Sequence, residues 1–218
     1  TYQMLDQTLS KLSTEMPGAT AIFNKHQLNF CCGGSHTLRD AISKKGLATS
    51  EILSELSALS KQVKPLDALN ALSSSDLIEH ILIRYHDTHR KQLAELVRLA
   101  SRVEKVHGDL PACPNGLAEH LDTMRQELEQ HMHKEEQILF PMLQQGMNAM
   151  AQGPISMMRH EHEGHSSAVS QIIDLTNNLA LPIDACNTWR ALYLSLDEFM
   201  TDLHNHIEIE NTILFNRT

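Results

Sequence analysis

The sequence predicts an all-α protein, an up-down-up-down four-helix bundle over residues 73–218 preceded by a small helical domain over residues 1–64. Three observations carry this expectation. Four stretches repeat apolar residues in alternating steps of four and three, the stripe that a bundle helix buries. The breaks between them are short and rich in Gly and Pro, so successive helices should be antiparallel neighbours. No stretch of useful length alternates apolar and polar residues as a half-buried strand does.

The first sixty residues read as small amphipathic helices, roughly Leu5–Leu12, Ala19–His26, Leu38–Lys44 and Glu51–Val63. They are separated by Pro17-Gly18, by Cys31-Cys32-Gly33-Gly34 and by Gly46. Lys64-Pro65-Leu66-Asp67-Ala68 reads as a linker, because proline cannot continue the preceding helix and turns Lys64 away from helical geometry. Ser73-Ser-Ser-Asp76 then matches a capping box ahead of Leu77-Ile78. The first bundle helix should run to about Val106 and end in the breaker-rich loop His107–Gly116. The second should reach about Gln145, with Gly146 and Gly153-Pro154 framing the turn into the third. Ala180-Leu-Pro182-Ile-Asp-Ala closes the third, and the fourth occupies the rest.

The buried stripes hold the chemistry. The second helix runs Leu117, Leu121, Met124, Leu128, His131, Glu135, Ile138, Met142, and the fourth runs Trp189, Leu192, Leu196, Phe199, Leu203, His206, Glu210, Ile213. Both contain His-x-x-x-Glu-x-x-Ile-Leu-Phe, written first as His131–Phe140 and again as His206–Phe215. Four residues is a little over one helical turn, so each His and its Glu share a helix face about 6 Å apart along the axis. The first helix runs Leu82, His86, His89, Leu93, Leu96, Ala100, Val103, and the third runs Ile155, Met158, His162, His165, Val169, Ile172, Thr176, Leu179. His86 precedes His131 by 45 residues and His162 precedes His206 by 44, so the chain reads as two helical hairpins of one design.

A buried carboxylate needs a cation, a proton or strong donors, and neither stripe places Lys or Arg near Glu135 or Glu210. Four imidazoles and two carboxylates exceed what one zinc ion takes. Two carboxylates from opposite helices can bridge two ions, and an imidazole–carboxylate set suits iron ahead of manganese or zinc. The expectation is a carboxylate-bridged non-haem centre of two iron ions, with metal ligands among His86, His131, Glu135, His162, His206 and Glu210. Spacing leaves His89 and His165, one turn further along their stripes, as additional candidates.

Composition narrows the partners. A formal charge of −9 disfavours nucleic acid and anionic membranes. No apolar run approaches the roughly 18 residues of a membrane span, and no signal peptide is visible. Four cysteines, two of them adjacent, do not form a disulfide framework, which points to a reducing, cytoplasmic setting. Cys113 and Cys186 fall in the two hairpin loops, where a structural role is expected. Cys31 and Cys32 are either a buried pair at a tight turn or reactive thiols able to accept a nitrosyl group or iron. Arg159-His160-Glu161-His162-Glu163-Gly164-His165 fails the zinc-protease motif, since His160 plus four is Gly164 and His162 plus four is Ser166. Ferritin-like carboxylate proteins use Glu-x-x-His on two helices, whereas this chain has His-x-x-x-Glu, so that family fits poorly.

Arg84-Tyr-His-Asp, His131-x-x-x-Glu-Glu-Gln-Ile-Leu-Phe-Pro, Gly-Pro-Ile-Ser-Met-Met and His206-x-x-x-Glu make the bundle resemble hemerythrin-like domains. With Asn29-Phe-Cys-Cys-Gly-Gly34 included, nearly the whole chain resembles the RIC proteins, di-iron proteins that repair iron centres under nitrosative and oxidative stress. The resemblance implies Glu135 and Glu210 as bridges, His89 and His165 behind the ligands, a thiol role for Cys31 and Cys32, and a homodimer. Oxygen-carrying hemerythrins use a more histidine-rich set with an Asp, so a second His-x-x-x-Glu argues against reversible oxygen carriage. The expected function is repair of damaged iron–sulfur proteins by iron donation or by handling nitric oxide. Two alternatives remain at this level: an enzyme turning over nitric oxide, nitrite or peroxide, and a sensor or store of oxygen or iron.

Overall fold

The computed structural model describes residues 2–30, 34–59 and 66–217, and among these the chain is helical with no strand, only an isolated bridge between Thr8 and Thr37. Cys31 and Cys32 lie outside the described residues, as does Lys64-Pro65. After a 3₁₀ turn over Tyr2–Asp6 come α1 (Leu9–Glu15), α2 (Ala19–Lys25), α3 (Leu38–Lys45) and α4 (Thr49–Ser57). Thr8 and Thr37 cap α1 and α3 by accepting from the backbone N–H groups of Lys11 and Asp40. Gly18 precedes α2 at φ +88°, and a Cβ there would sit 3.0 Å from a Leu59 methyl, so both conformation and space ask for glycine.

These short helices bury Leu9, Leu12, Phe23, Leu38, Ile42, Ile52 and Leu56 in one apolar cluster with Leu93, Leu96, Trp189 and Leu192 of the bundle. Asn187 donates from Nδ2 to Ser10 Oγ at 2.8 Å and to the Phe30 carbonyl at 3.2 Å, tying the two parts of the chain together. The expected linker is partly a helix, since α5 (Leu66–Asn70) buries Leu69 against the bundle.

The bundle begins with α6 (Ser74–Ile81), which the Ser73 hydroxyl caps through Asp76 N–H. It passes through a π turn at Leu82–His86 into α7 (Asp87–His107). The second helix is α8 (Leu117–Lys134), a π turn at Glu135–Leu139 and α9 (Phe140–Gln144). The third is α10 (Asn148–Leu175). The fourth is α11 (Asn187–Ile209), a π turn at Glu210–Leu214 and a 3₁₀ turn at Phe215–Arg217. Each helix packs on its neighbours in sequence, and the fourth closes on the first.

Two expectations are corrected. Gly153-Pro154 does not frame a turn, because the turn closes at Gly146 and both residues lie inside α10. The missing Pro N–H leaves only the carbonyl of solvent-exposed Met150 unpaired within the helix. Gly153 has no Cβ to meet the proline ring, so the usual restriction before proline is relaxed. Ile138, expected in the buried stripe, is 51% exposed, and Leu139 and Leu143 are buried instead. The π turn explains this: Phe140 N–H bonds to Glu135 O, five residues back, which inserts one residue and rotates the following face by one position.

The core is layered. One apolar cluster, including Leu93, Leu128, Met132, Phe199 and Leu203, fills the half of the bundle nearer the α1–α4 helices. A second, with Ile81, Tyr85, Leu139, Phe140, Met158, Ile209 and Phe215, fills the other. Between them lies a buried polar layer of His86, His89, His131, Glu135, His162, His165, His206 and Glu210.

Candidate metal centre

All six residues expected to bind metal point into this layer, and each is at most 2% exposed. The helical repeat delivers His131 with Glu135 and His206 with Glu210. In the first pair Nε2 lies 2.6 Å from Oε1, and in the second Nε2 lies 3.2 Å from Oε2. The facing hairpin helices add His86, with Nε2 3.9 Å from Glu135 Oε1, and His162, with Nε2 3.0 Å from Glu210 Oε1. Ligand-capable atoms of His86, Glu135, His206 and Glu210 fall within 4.8 Å of one another, as do those of His131, Glu135, His162 and Glu210. The two carboxylates are common to both groups.

Eight buried atoms here make no well-formed hydrogen bond among the described residues and have only one another as polar neighbours: Nε2 of His86, His131, His162 and His206, and both oxygens of Glu135 and Glu210. A polar atom buried without a partner costs on the order of 1–3 kcal/mol, and more if charged. Eight gathered in one buried layer form a cluster of ligand-capable atoms that cations would satisfy. The donor set therefore fits two metal positions, each reached by two imidazoles and both carboxylates.

The outward ring nitrogens are all engaged. His86 Nδ1 lies 2.9 Å from Glu136, His131 Nδ1 3.1 Å from Glu161, His162 Nδ1 2.8 Å from Asn211 Oδ1, and His206 Nδ1 3.1 Å from His89 Nε2. Arg90 and Lys134 in turn hold Glu136 and Glu161. This is the arrangement that fixes ring orientation in metal sites. Aromatic rings pack on the candidate ligands: Tyr85 stacks on His206, Phe140 on His86 and Phe215 on His162. Water is thereby kept from the apolar side.

Burial sets the protonation states. It lowers His86 to about 4, with His206 adding to the effect, and lowers His131 to about 3, so both present neutral lone pairs at pH 7. Burial and then the charge of Glu210 raise Glu135 well above the usual carboxylate range. In Glu136, Arg90 and His86 outweigh burial and keep the carboxylate ionised.

The chain over residues 77–218 matches the family described as the hemerythrin HHE cation binding domain. This chain belongs to the hemerythrin HHE family. Residues 5–60 match a second family, a domain of unknown function termed ScdA_N. Over 212 residues the chain is 48% identical to the iron-sulfur cluster repair protein YtfE of Yersinia pseudotuberculosis serotype O:1b, covering 97% of this chain and 96% of that protein. Identity to the YtfE protein of Yersinia pestis strain Pestoides F is 47% over the same shares.

In this hemerythrin-type bundle the buried His/Glu groups suit a metal centre. Reading the stripes alone missed the outward partners Glu136, Glu161 and Asn211. Each is adjacent in sequence to a stripe residue, Glu135, His162 or Glu210, and that adjacency is the signal available. His89 is turned to His206 rather than into the cluster of inward atoms. His165, one turn beyond His162, packs edge-on to His131 at 4.8 Å and lines a surface depression with Glu127 and Glu161. Cys113 is buried with Sγ 3.4 Å from Asn115 Oδ1, and Cys186 sits at the start of α11.

Proposed function

We propose that this protein repairs damaged iron–sulfur clusters from a di-iron centre held by His86, His131, His162, His206, Glu135 and Glu210, with the two glutamates as bridges. The observation that supports the centre best is the set of eight buried ligand-capable atoms that, among the described residues, face only one another. The relatives' name, over nearly the full length of both chains, supports the repair role. Imidazole and carboxylate together favour iron among the first-row metals that such a set takes. When bound, the ions supply redox chemistry and a store of transferable iron.

The chain's own residues prepare that chemistry. The engaged Nδ1 atoms hold four Nε2 lone pairs inward. Tyr85, Phe140 and Phe215 keep water off the ligand rings. Glu135 holds a proton in the metal-free protein and surrenders it on loading, so that both carboxylates become available. Cys31 and Cys32 are the proposed acceptor thiols, carried on an N-terminal domain over residues 1–64. The reading further includes nitric oxide as a small ligand, damaged iron–sulfur proteins as partners, a cytoplasmic setting and a homodimer, the commonest symmetric state. No helix among the described residues is long and apolar enough to cross a membrane.

The test has two stages. Iron per chain and the visible spectrum are compared between the protein and a Glu135→Ala, Glu210→Ala variant. Two irons in the parent and their loss from the variant are expected. The loaded protein is then incubated with an enzyme whose cluster nitric oxide has damaged, against equal free iron. Faster recovery with the protein supports repair; recovery with free iron alone overturns it. Repeated consumption of nitric oxide with added reductant would instead make the protein an enzyme.

A further inference from the structure

His206 differs from the other three histidines of the centre. His86 and His131 each meet a carboxylate directly and His162 meets an amide oxygen, whereas His206 Nδ1 meets another imidazole, His89, at 3.1 Å. His89 is fully buried, stacked on His206 and held edge-on by Phe199, so its ring is fixed in place. Its second nitrogen, Nδ1, lies 3.2 Å from Gln92 Oε1. Gln92 Nε2 donates to Asp202 Oδ2 at 2.8 Å, and Arg84 donates to Asp202 Oδ1 at 2.8 Å.

The direction of every proton in this chain follows from its far end. An ionised carboxylate only accepts, so the Gln92 amide must turn its NH₂ to Asp202 and its oxygen to His89. His89 Nδ1 must then carry the hydrogen, because an acceptor facing an acceptor is repulsive. A neutral imidazole has one donor, which leaves His89 Nε2 as the acceptor. His206 Nδ1 must therefore be the donor, and its Nε2 lone pair is left facing Glu210 and the centre.

We propose that Asp202, Gln92 and His89 form a directional relay that fixes the tautomer of His206, making the position shared by His86 and His206 dependent on a buried carboxylate that His131 and His162 do not use. The proposal rests on the metal reading above. It makes His89, Gln92 and Asp202 positioning residues and gives His89 a role other than ligation. It also predicts polarity reversal by a change of one atom. In Asp202→Asn, the new amide oxygen stays with Arg84 and its NH₂ faces Gln92. Gln92 then flips and presents NH₂ to His89 Nδ1, and the hydrogen of His206 is driven onto Nε2, where the metal belongs.

The test uses zinc-loaded full-length protein. Two-bond proton–nitrogen correlations of the histidine rings report which nitrogen carries the hydrogen, and chelator competition reports the affinity of each bound ion. In the parent, two zinc ions and a protonated His206 Nδ1 are expected. In Asp202→Asn, which keeps the shape of the side chain, the His206 pattern should change while those of His131 and His162 do not. One of the two ions should weaken by about 10- to 100-fold. Gln92→Leu, which interrupts the relay without reversing it, should weaken the same ion and provides a second route if the first variant does not fold. Restoring an oxygen acceptor with His89→Gln should recover more affinity than His89→Leu. Two bound zinc ions with an unchanged His206 pattern and unchanged affinities in both relay variants overturn the relay alone. A parent that binds no metal overturns the centre, and the relay's consequence with it.

Discussion

Glu135 and Glu210 hold equivalent places in the two hairpins, each opening a π turn one helical turn after its histidine, and both are completely buried with their oxygens facing, among the described residues, only the histidines of the cluster and each other. Without a cation they share one low-dielectric space, and Glu135 keeps its proton because burial and the charge of Glu210 disfavour a second ionised group. The fold thus carries a feature that is unfavourable when metal-free and favourable when loaded.

This opposition is measurable with Glu135→Leu. The substitution exchanges a buried polar group set beside the like-charged Glu210 for an apolar side chain of similar size, and so removes the cost of burying that group. In the presence of chelator the variant should be at least as stable as the parent in urea denaturation. In the presence of iron it should be the less stable of the two, because it no longer gains from binding.

The metal-free protein should lose stability on acidification. His86 and His165 are lowered to about 4 and His131 to about 3, each mainly by burial, from an ordinary value of 6.5. Between 6.5 and about 4 the unfolded chain binds more protons at these rings than the folded one, so stability falls as pH falls, by about 1.4 kcal/mol per pH unit for each imidazole at most. Glu135, raised, works in the opposite sense, but His89, also lowered by burial, joins the three rings, so one carboxyl opposes four imidazoles. Urea midpoints at pH 7.5 and 5.5, with chelator, should differ in this direction.

The outward partners should tune affinity without abolishing the fold. Glu136→Gln removes the carboxylate charge behind His86 and its ion pair with Arg90, which stays held by Glu129. Metal affinity should drop by about 10- to 100-fold, read by chelator competition, while far-ultraviolet circular dichroism stays that of the parent.

The π turn separates two neighbours that a regular helix would rank the other way. Ile138→Lys, at a position 51% exposed, should change stability by no more than about 0.5 kcal/mol, whereas Leu139→Ala, at 1%, should cost about 2–5 kcal/mol. A regular α-helical stripe through Glu135 gives the reverse order. Thermal unfolding of the two variants decides between them.

Cys31→Ser, Cys32→Ser bears on the thiol role separately from the centre. The variant should retain the parent's iron content and lose repair of a nitric-oxide-damaged cluster. Full repair by the variant would remove the thiols from the reading.

By itself, the sequence determined the helical class, the two-hairpin design and the six residues that converge, because the relations that carry them are local. Steps of four and three turn one face of a helix to the core, and His-x-x-x-Glu puts two side chains on that face whatever the helix packs against. The tertiary structure decided the rest. That Glu136, Glu161, Asn211 and His89 stand behind the four buried histidines depends on how each helix is rotated against its neighbour. Ile138 was misread because the buried stripe assumes 3.6 residues per turn, and the π turn at Glu135 adds a residue that no apolar period records. The relay from Asp202 through Gln92 and His89 to His206 joins residues more than one hundred positions apart. Its polarity exists only once the first and fourth helices are side by side, since a hydrogen bond takes its direction from both partners at once.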